Sequence, residues 1–339
     1  MIKNYLKVAF RYLTKHKEYT IINVSGLAVG ISCCILIMMF VRSEVSYDKF
    51  HSKADRIYRM YMNEKVKGEM FTNVATPIPL APALQASFPE IETTTRVYSF
   101  NTLVKREDDT FNEPVYMVDS LFFSMFDFQI TEGDRKQPFA NRNSVILNSS
   151  TAQKYFGNSS PVGQSLQLQI GENVESFEVS AVFKDSPNES SIKPVILIPF
   201  SNQNSFFSPR AQTLWFNVYL ETYVLLASGT SVSALKTKLP TMVKSQLGED
   251  YVEGGYVLNL QPITDIHLNN KLPEGNEPIS NPKYSYILST IGLLILLIAC
   301  INFVTLSIGR SATRGLEVGI RKVLGAQRFQ LSALRKSNC

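Results

Sequence analysis

The sequence predicts an α+β membrane protein in which two transmembrane helices flank a large extracytoplasmic domain. Three observations predict it. Two long apolar runs, residues 21–41 and 284–309, contain no charged side chain. Positive charge gathers on the outer flank of each run, toward its own terminus. Between the runs, strand and helix periodicities alternate over about 240 residues, enough to bury a core as one large domain or two small ones.

At 1.5 Å per helical residue, about 20 residues cross a hydrocarbon layer of roughly 30 Å. Both runs reach that length. Lys3, Lys7, Arg11, Lys15 and Lys17 precede the first run against Glu18 alone. Arg310, Arg314, Arg321, Lys322, Arg328, Arg335 and Lys336 follow the second against Glu317 alone. The two ends thus take 12 of the 34 basic residues and 2 of the 29 acidic ones, leaving the middle net acidic. Lys and Arg accumulate on the cytoplasmic side of a membrane, so both termini are expected inside and residues 42–283 outside. A cleaved signal peptide fits less well: the basic stretch is long, the run exceeds an h-region, and no small-x-small site precedes Arg42. Cys33, Cys34 and Cys300 lie in the apolar runs and Cys339 at the end. The outer segment has no cysteine, so its fold rests on a hydrophobic core rather than disulfides. The Asn-x-Ser triplets at Asn148, Asn158 and Asn188 are expected by chance in a Ser/Asn-rich chain.

In chain order, residues 1–20 open as an amphipathic basic helix. Lys3, Lys7, Arg11 and Lys15 recur at i, i+4, with Ile2, Leu6, Ala9, Phe10 and Leu13 on another face. Such a helix lies in the headgroup layer with its cations near anionic lipid; the alternative is packing on a partner subunit. Beyond the first span, residues 56–64 and 69–75 read as a hairpin turning at Lys67-Gly68. Residues 79–88 read as a helix with Pro79 near its first turn, and 94–104 return as a strand. A similar strand–helix–strand unit recurs at 217–227, 231–247 and 256–261, with Ser231 as helix cap and Pro240 expected to kink or split the helix. These two stretches, 45–106 and 213–270, read as one split α+β part. The intervening 107–212 read as a β-rich insertion with strands at 114–118, 144–147, 164–170, 177–183 and 195–199. It also holds a helix at 150–156 ending on Gly157, and loops at 185–188 and 201–210. Residues 272–282, with three prolines, read as a linker into the second span.

Enzymatic signals are poor, and the chain is not expected to be an enzyme. His16, His51 and His267 stand far apart, without Cys or carboxylate at ligand spacing. His51 reads as a polar surface residue beside the membrane boundary. There is no G-x-x-x-x-G-K-[ST] phosphate loop and no G-x-S-x-G elbow. No metal, cofactor or nucleic-acid partner is implied. Glu107-Asp108-Asp109 reads as a solvated turn, and the pairs Phe122-Phe123 and Phe206-Phe207 as core or interface. Past the second span, Leu316, Ile320, Val323 and Leu324 share one helical face, Glu317 pairs with Arg321 at i, i+4, and Gly325 suits a helix stop. The product is a short amphipathic basic helix close to the membrane, either a plain anchor or a docking element for a cytoplasmic partner.

These residues also carry a resemblance. LIACINFVTLSIGRSATRGLEVGIRKVLGAQRFQL (297–331) resembles the second transmembrane segment and following cytoplasmic helix of MacB/FtsX-like ABC-transporter permeases, especially the Bacteroidetes type. SYDKFH (46–51), KYFG (154–157) with PVGQSL after it, LQPITDIHL (260–268) and the N-terminal MIKNYLKVAFRYLTKHKEYTIINVSGLAVG fit the same family in the same order. EVGIRKVLGA is the most specific element.

The resemblance implies a permease subunit of the bacterial inner membrane, its outer domain a MacB-like periplasmic core with a porter-like part and a β-rich insert. It implies dimerisation with another permease, like or unlike, and a separate ATPase subunit below the membrane. A periplasmic or outer-membrane partner is implied on the far side. The family's ATPase-coupling element maps onto Glu317, Val318, Gly319, Ile320, Arg321, Lys322, Val323, Leu324, Gly325 and Ala326. ATP-driven movement would pass through the helices to the outer domain, for export or mechanotransmission. Members of the family continue after the Gln330-Leu331 pair into further membrane helices. The sequence therefore reads as the N-terminal portion of such a permease, truncated after the second span. A two-span sensor or scaffold with a periplasmic ligand-binding domain has the same topology, but would require a longer heptad-bearing cytoplasmic helix. Chain-length regulators would require a long helical outer domain, and an ectoenzyme a convergent catalytic set.

Overall fold

The structure, a computed structural model, describes residues 17–171 and 173–323, with the side chains of Tyr19, Asn23, Leu306, Ser307 and 309–323 outside that description. It divides into two units, residues 1–43 with 283–339 and residues 44–282. The expected surface helix, with Lys3, Lys7, Arg11 and Lys15, lies outside the described residues.

The first unit is a helix pair. Helix α1 (Lys17–Glu44) contains the first apolar run, and the chain's last helix, Pro282–Val323, contains the second. Both are long and apolar enough to cross a membrane. They pack antiparallel through small residues. A Cβ on Gly30 would lie 2.9 Å from the Ala299 Cβ, one on Gly26 3.1 Å from the Asn302 Nδ2, and one on Gly292 3.3 Å from Ile37. Gly26 and Gly30, four apart, share the helix face that allows this approach. Cys34 donates its thiol to the Gly292 carbonyl at 3.3 Å. Outward, Leu36, Met38, Ile298 and Ile301 are exposed, as lipid-facing or partner-facing side chains are. The second helix runs unbroken through Val323. The basic segment begins as its continuation, not as the separate short helix the sequence suggests.

The second unit is one eleven-stranded sheet. Strands β1 (Ile57–Val66) and β2 (Glu69–Asn73) form the expected hairpin. Lys67 and Gly68 both take positive φ, 52° and 95°, the pair that a two-residue turn matching strand twist demands. Helix α2 (Leu80–Ser87) follows, then β3 (Ile91–Arg106), which is longer than expected. The acidic turn at Glu107 leads into β4 (Asp109–Val118). Next come β5 (Ile130–Gly133), which carries no sequence signal, and β6 (Ser144–Asn148). Asn148 caps α3 (Ser149–Phe156) by accepting from the Thr151 N–H at 2.9 Å, and Gly157 ends it at φ 57°. Strands β7 (Ser165–Ile170), β8 (Asn173–Phe183) and β9 (Ile196–Pro199) complete this stretch. The chain returns through β10 (Glu221–Leu226), helix α4 (Val232–Leu247) and β11 (Tyr256–Pro262) before the last helix, α5 (Pro282–Val323). Residues 217–220, expected in strand, are not, although Leu220 bridges to Thr76.

The strand order is β11-β1-β10-β3-β4-β9-β6-β8-β5, with β2 on β1 and β7 joining β8 to β3. Two arrangements follow. The four strands β11-β1-β10-β3 are antiparallel, with their two strand–helix–strand units interleaved, the split βαβ pattern of ferredoxin-like folds. The path β3-β4-β9-β6-β8-β7 then returns to β3 and closes a small barrel. The core follows that division. Met60, Met62, Val224 and Leu258 meet α2 and α4 on one face of the four strands, while Val104, Val115, Leu168, Phe177 and Ile198 fill the barrel. A third cluster, rich in Phe122, Phe126, Phe128, Phe183 and Tyr223, covers the face opposite the helices.

Pro240 does not split helix α4, which is continuous from Val232 to Leu247. Leu235, Leu239, Met242, Val243 and Leu247 hold one face on the sheet, while Pro240 lies exposed. The missing N–H therefore leaves an unpaired carbonyl where water can reach it. Replacing Pro240→Ala restores that bond without moving the buried face. It should stabilise the chain by about 2 kcal/mol, the helix gain less the entropy lost from the unfolded state, read as a rise in denaturation midpoint.

Candidate functional site

The first charged residue buried on the sheet is Arg59, third in β1. Strand alternation puts Met60 and Met62 under the helices and Arg59 on the opposite face, where it is 2 % exposed. A buried guanidinium is stable only when paired and hydrogen-bonded. Glu221, at the start of β10, supplies the charge: Nη1 to Oε1 is 3.2 Å, with both side chains nearly inaccessible. Gln261 of β11 accepts from Nε and Nη2 at 3.2 and 2.8 Å. Tyr223 donates to the second Glu221 oxygen at 2.5 Å. Burial, with the neighbouring Glu221 charge, pushes the Tyr223 hydroxyl well above the usual phenol range. It therefore stays a donor at any physiological pH.

Residues 272–282, expected as a linker, form a belt across this face. Gly275 passes so close to the ion pair that a Cβ would collide with Glu221 Oε1 and lie 2.5 Å from Arg59 Nη1. Asn276 donates its N–H to Glu221 Oε1 at 2.9 Å, and its side-chain oxygen accepts from Ser99 of β3 at 2.7 Å. Glu277 accepts from the Tyr116 hydroxyl of β4 at 3.5 Å, and burial raises the Glu277 carboxyl above its ordinary value. The belt thus crosses β1, β10, β3 and β4 in turn. Proline content suggests a linker only because proline excludes the segment from helix and ladder; it does not prevent docking through side chains.

The segment after α1 packs into the same region. Glu44 receives the Ser280 hydroxyl at 2.6 Å and stands 3.2 Å from His267 Nε2. The Tyr47 ring lies flat on the His267 ring, and Ser280 donates its N–H to the His267 carbonyl at 2.7 Å. Asp48 is fully buried at φ 59°. Its Oδ1 accepts from the Ser191 N–H at 2.8 Å, while Oδ2 has no hydrogen-bond partner among the described residues. Burial pushes its carboxyl up to about 6, against the hydrogen bonding of Ser191 and the charges of Lys193 and Arg59. His51 corrects the surface expectation. It is 3 % exposed, lies among Phe50, Phe126 and Phe128, and accepts the Asp127 N–H at Nδ1. Burial lowers it to about 4, so it is neutral at pH 7.

SYDKFH and LQPITDIHL, more than 200 residues apart, therefore meet at Tyr47 and His267. Glu44, Arg59, Glu221 and Gly275 complete the site but have no sequence signal, because burial and approach depend on long-range pairing. Phe122 and Phe207 are buried as core residues. Among the described residues no group of three or more His, Cys, Asp or Glu side chains is placed to hold a metal. Of the segment expected to couple to an ATPase, Glu317, Val318, Gly319, Ile320, Arg321, Lys322 and Val323 lie in the backbone of α5. Leu324, Gly325 and Ala326 lie outside the described residues.

Residues 20–242 match the family model of the MacB-like periplasmic core domain. The chain is 22 % identical to an uncharacterized ABC transporter permease, YvrN, of Bacillus subtilis (strain 168), over 96 % of its length and 79 % of the relative's. Among solved structures, it resembles a domain of a protein described as a permease from Porphyromonas gingivalis. The TM-score is 0.55 and the identity 23 %, over 62 % of this chain and 91 % of that one. This likeness is one of fold. The periplasmic region of MacB from Actinobacillus actinomycetemcomitans aligns more loosely, with a TM-score of 0.43 at 15 % identity over 61 % of this chain and 89 % of that one.

Two outcomes follow from the site. Glu221→Ala leaves Arg59 buried without a counter-charge and should destabilise the chain by about 3–5 kcal/mol, measured by chemical denaturation. Asp48→Asn keeps the Ser191 contact and suits the positive φ. The raised Asp48 pKa contributes stability that is complete below its unfolded value of 3.8 and lost as pH rises through about 6. The lowered His51 pKa acts oppositely, its contribution complete above 6.5 and lost as pH falls through about 4. Asp48→Asn should therefore add on the order of 2–3 kcal/mol at pH 7. That gain should vanish near pH 4, so the variant loses stability more steeply on acidification than the native chain.

Proposed function

Since the chain belongs to the family of the MacB-like periplasmic core domain, matched over residues 20–242 of 339, we propose that it is a permease component of an ABC transporter, without enzymatic activity of its own. It lies in a bacterial inner membrane with α1 and α5 as its spans. The basic flanks support cytoplasmic termini, and residues 42–283 are then the periplasmic core, made of a porter-like split part (45–106 and 213–270) and a β-rich insert (107–212). A separate ATPase subunit supplies the work, and residues 317–326 are its docking element. A second permease, lipid against residues 1–20, and a periplasmic or outer-membrane protein are the remaining partners.

The observation that carries this reading is the match of residues 20–242 to the MacB-like periplasmic core domain, together with two helices long and apolar enough to cross a membrane that flank the outer unit in the sequence. Within the outer unit, the segment after α1 and the segment before α5 are bonded to each other at Glu44, His267 and Ser280. A transmission role requires differential contacts in two states.

Charge reversal by Arg321→Glu with Lys322→Glu tests the docking element. Co-purification of the ATPase from native membranes should fall about tenfold or more, equivalent to about 1.4 kcal/mol, with the stability of the outer domain unaltered. Undiminished association would rule out coupling through 317–326.

A further inference from the structure

We propose that a cavity of about 400 Å³ at the ends of β4 and β9 binds a phosphate monoester, with Arg96 and Arg142 as its charged ligands. The cavity lies wholly within the outer unit and shares no residue with the Arg59–Glu221 site or the belt. Its position follows from the sheet. Strands β4 and β9 run parallel and end side by side at Val118 and Pro199. Strand β6 is antiparallel to β9, so the residues that precede Ser144 come to the same rim. Asp119 and Ser120, Phe200 and Ser201, and Asn141 and Arg142 are thereby gathered around one opening, with Arg96 of β3 at its wall.

The lining is rich in donors and short of acceptors. Arg96 meets Asp119 side-on, Nε to Oδ2 at 2.9 Å and Nη2 to Oδ1 at 2.6 Å, and its guanidinium stacks on Phe200 at 3.7 Å. Its backbone N–H also bonds to Oδ2, at 2.8 Å, so both Asp119 oxygens are taken. A side-on pair leaves the end-on fork open, and Nη1 has no partner among the described residues. The guanidinium is thus fixed in place with two donors to spare. Arg142, 56 % exposed, touches Glu175 at 3.2 Å and can exchange that contact for a ligand. The hydroxyls of Ser120 and Ser201 and the side-chain NH₂ groups of Asn141 and Gln203 also donate to nothing among the described residues. Six side chains therefore bring unspent donors to one cavity, and its one carboxylate has no oxygen free. A carboxylate ligand offers about four lone-pair sites, fewer than this set can use. A phosphate monoester offers three terminal oxygens and nearly two negative charges. Phe139 and Pro199 line the remainder and suit the organic part of an ester better than free phosphate.

The test is saturation-transfer NMR on the full chain in phosphatidylcholine nanodiscs, with phenyl phosphate as the probe. Benzyl alcohol, of similar shape and without charge, is the control. Phenyl phosphate should bind and benzyl alcohol should not. Arg142→Gln should weaken phenyl phosphate about tenfold, and Arg142→Lys, which keeps the charge but not the fork, by less. Ser120→Ala with Ser201→Ala should weaken it about fivefold. These positions are exposed, so the fold is not at stake. Lys236→Gln, on the exposed face of α4, should change nothing. Dihexanoyl phosphatidic acid, added as competitor, separates two sources of the same group. Displacement of phenyl phosphate at lower concentration than phenyl phosphate itself requires marks a lipid headgroup, and any weaker competition marks a soluble ester. Failure of phenyl phosphate to bind, or equal binding of benzyl alcohol, would overturn the site. So would affinity undiminished in both Arg142→Gln and the double serine variant, or an equal loss in Lys236→Gln, which would reveal a general attraction of charge. The permease reading stands under every one of these outcomes.

Discussion

The Arg59–Glu221 ion pair is the constraint on which the outer unit turns. An ion pair removed from water gains Coulomb energy but forfeits hydration. It holds only when every remaining donor and acceptor is met. Here the guanidinium is met by Glu221 and by Gln261, and the carboxylate by Arg59, Tyr223 and the Asn276 N–H. These partners come from β1, β10, β11 and the belt, so closing the pair requires all four to be in place. Residues separated by more than 160 positions are thereby brought into one register. The helix-facing core of Met60, Val224 and Leu258 makes that sheet stable; the polar face makes its assembly specific.

The two halves of the unit join through β3. Its first residues pair with β10 and its last with β4 and β7, so one 16-residue strand belongs to both the split sheet and the closed barrel. A closed barrel leaves no free edge and resists shear between its strands. The belt then crosses from β1 to β4 on the same face, bracing the region where the two parts share a strand.

Much of this was legible from local chemistry. The Lys67-Gly68 turn, the Ser231 cap and the helix stop at Gly157 are properties of a few adjacent residues, and the structure has them. The apolar runs were equally plain. What was not legible depends on distant neighbours. His51 looks like a surface residue because it stands beside the first membrane boundary, yet Phe126 and Phe128 arrive from more than 70 positions away to bury it. Pro240 looks like a break, but five buried side chains on the opposite side keep the helix whole. Gly275 sits in composition typical of a loop, and only the ion pair beneath it explains why nothing larger fits.

Why should this region be polar when an apolar contact of the same volume is often the more stable choice? Hydrophobic attraction is non-directional. A belt held only by apolar side chains could slide by a residue with little change in buried area. Asn276 cannot slide, because its N–H must find Glu221 while its side-chain oxygen meets Ser99, and Glu277 must at the same time reach Tyr116. Three directional contacts on three strands define a single register for the belt. The same logic accounts for Asp48, which is buried at positive φ with one oxygen unpaired among the described residues. Its strain is tolerable because the Ser191 N–H and the Asp48 N–H to the Glu189 carbonyl hold the backbone just after α1 in one geometry. Stability is given up on both sides of the site for the same return: one geometry for each segment within the outer unit.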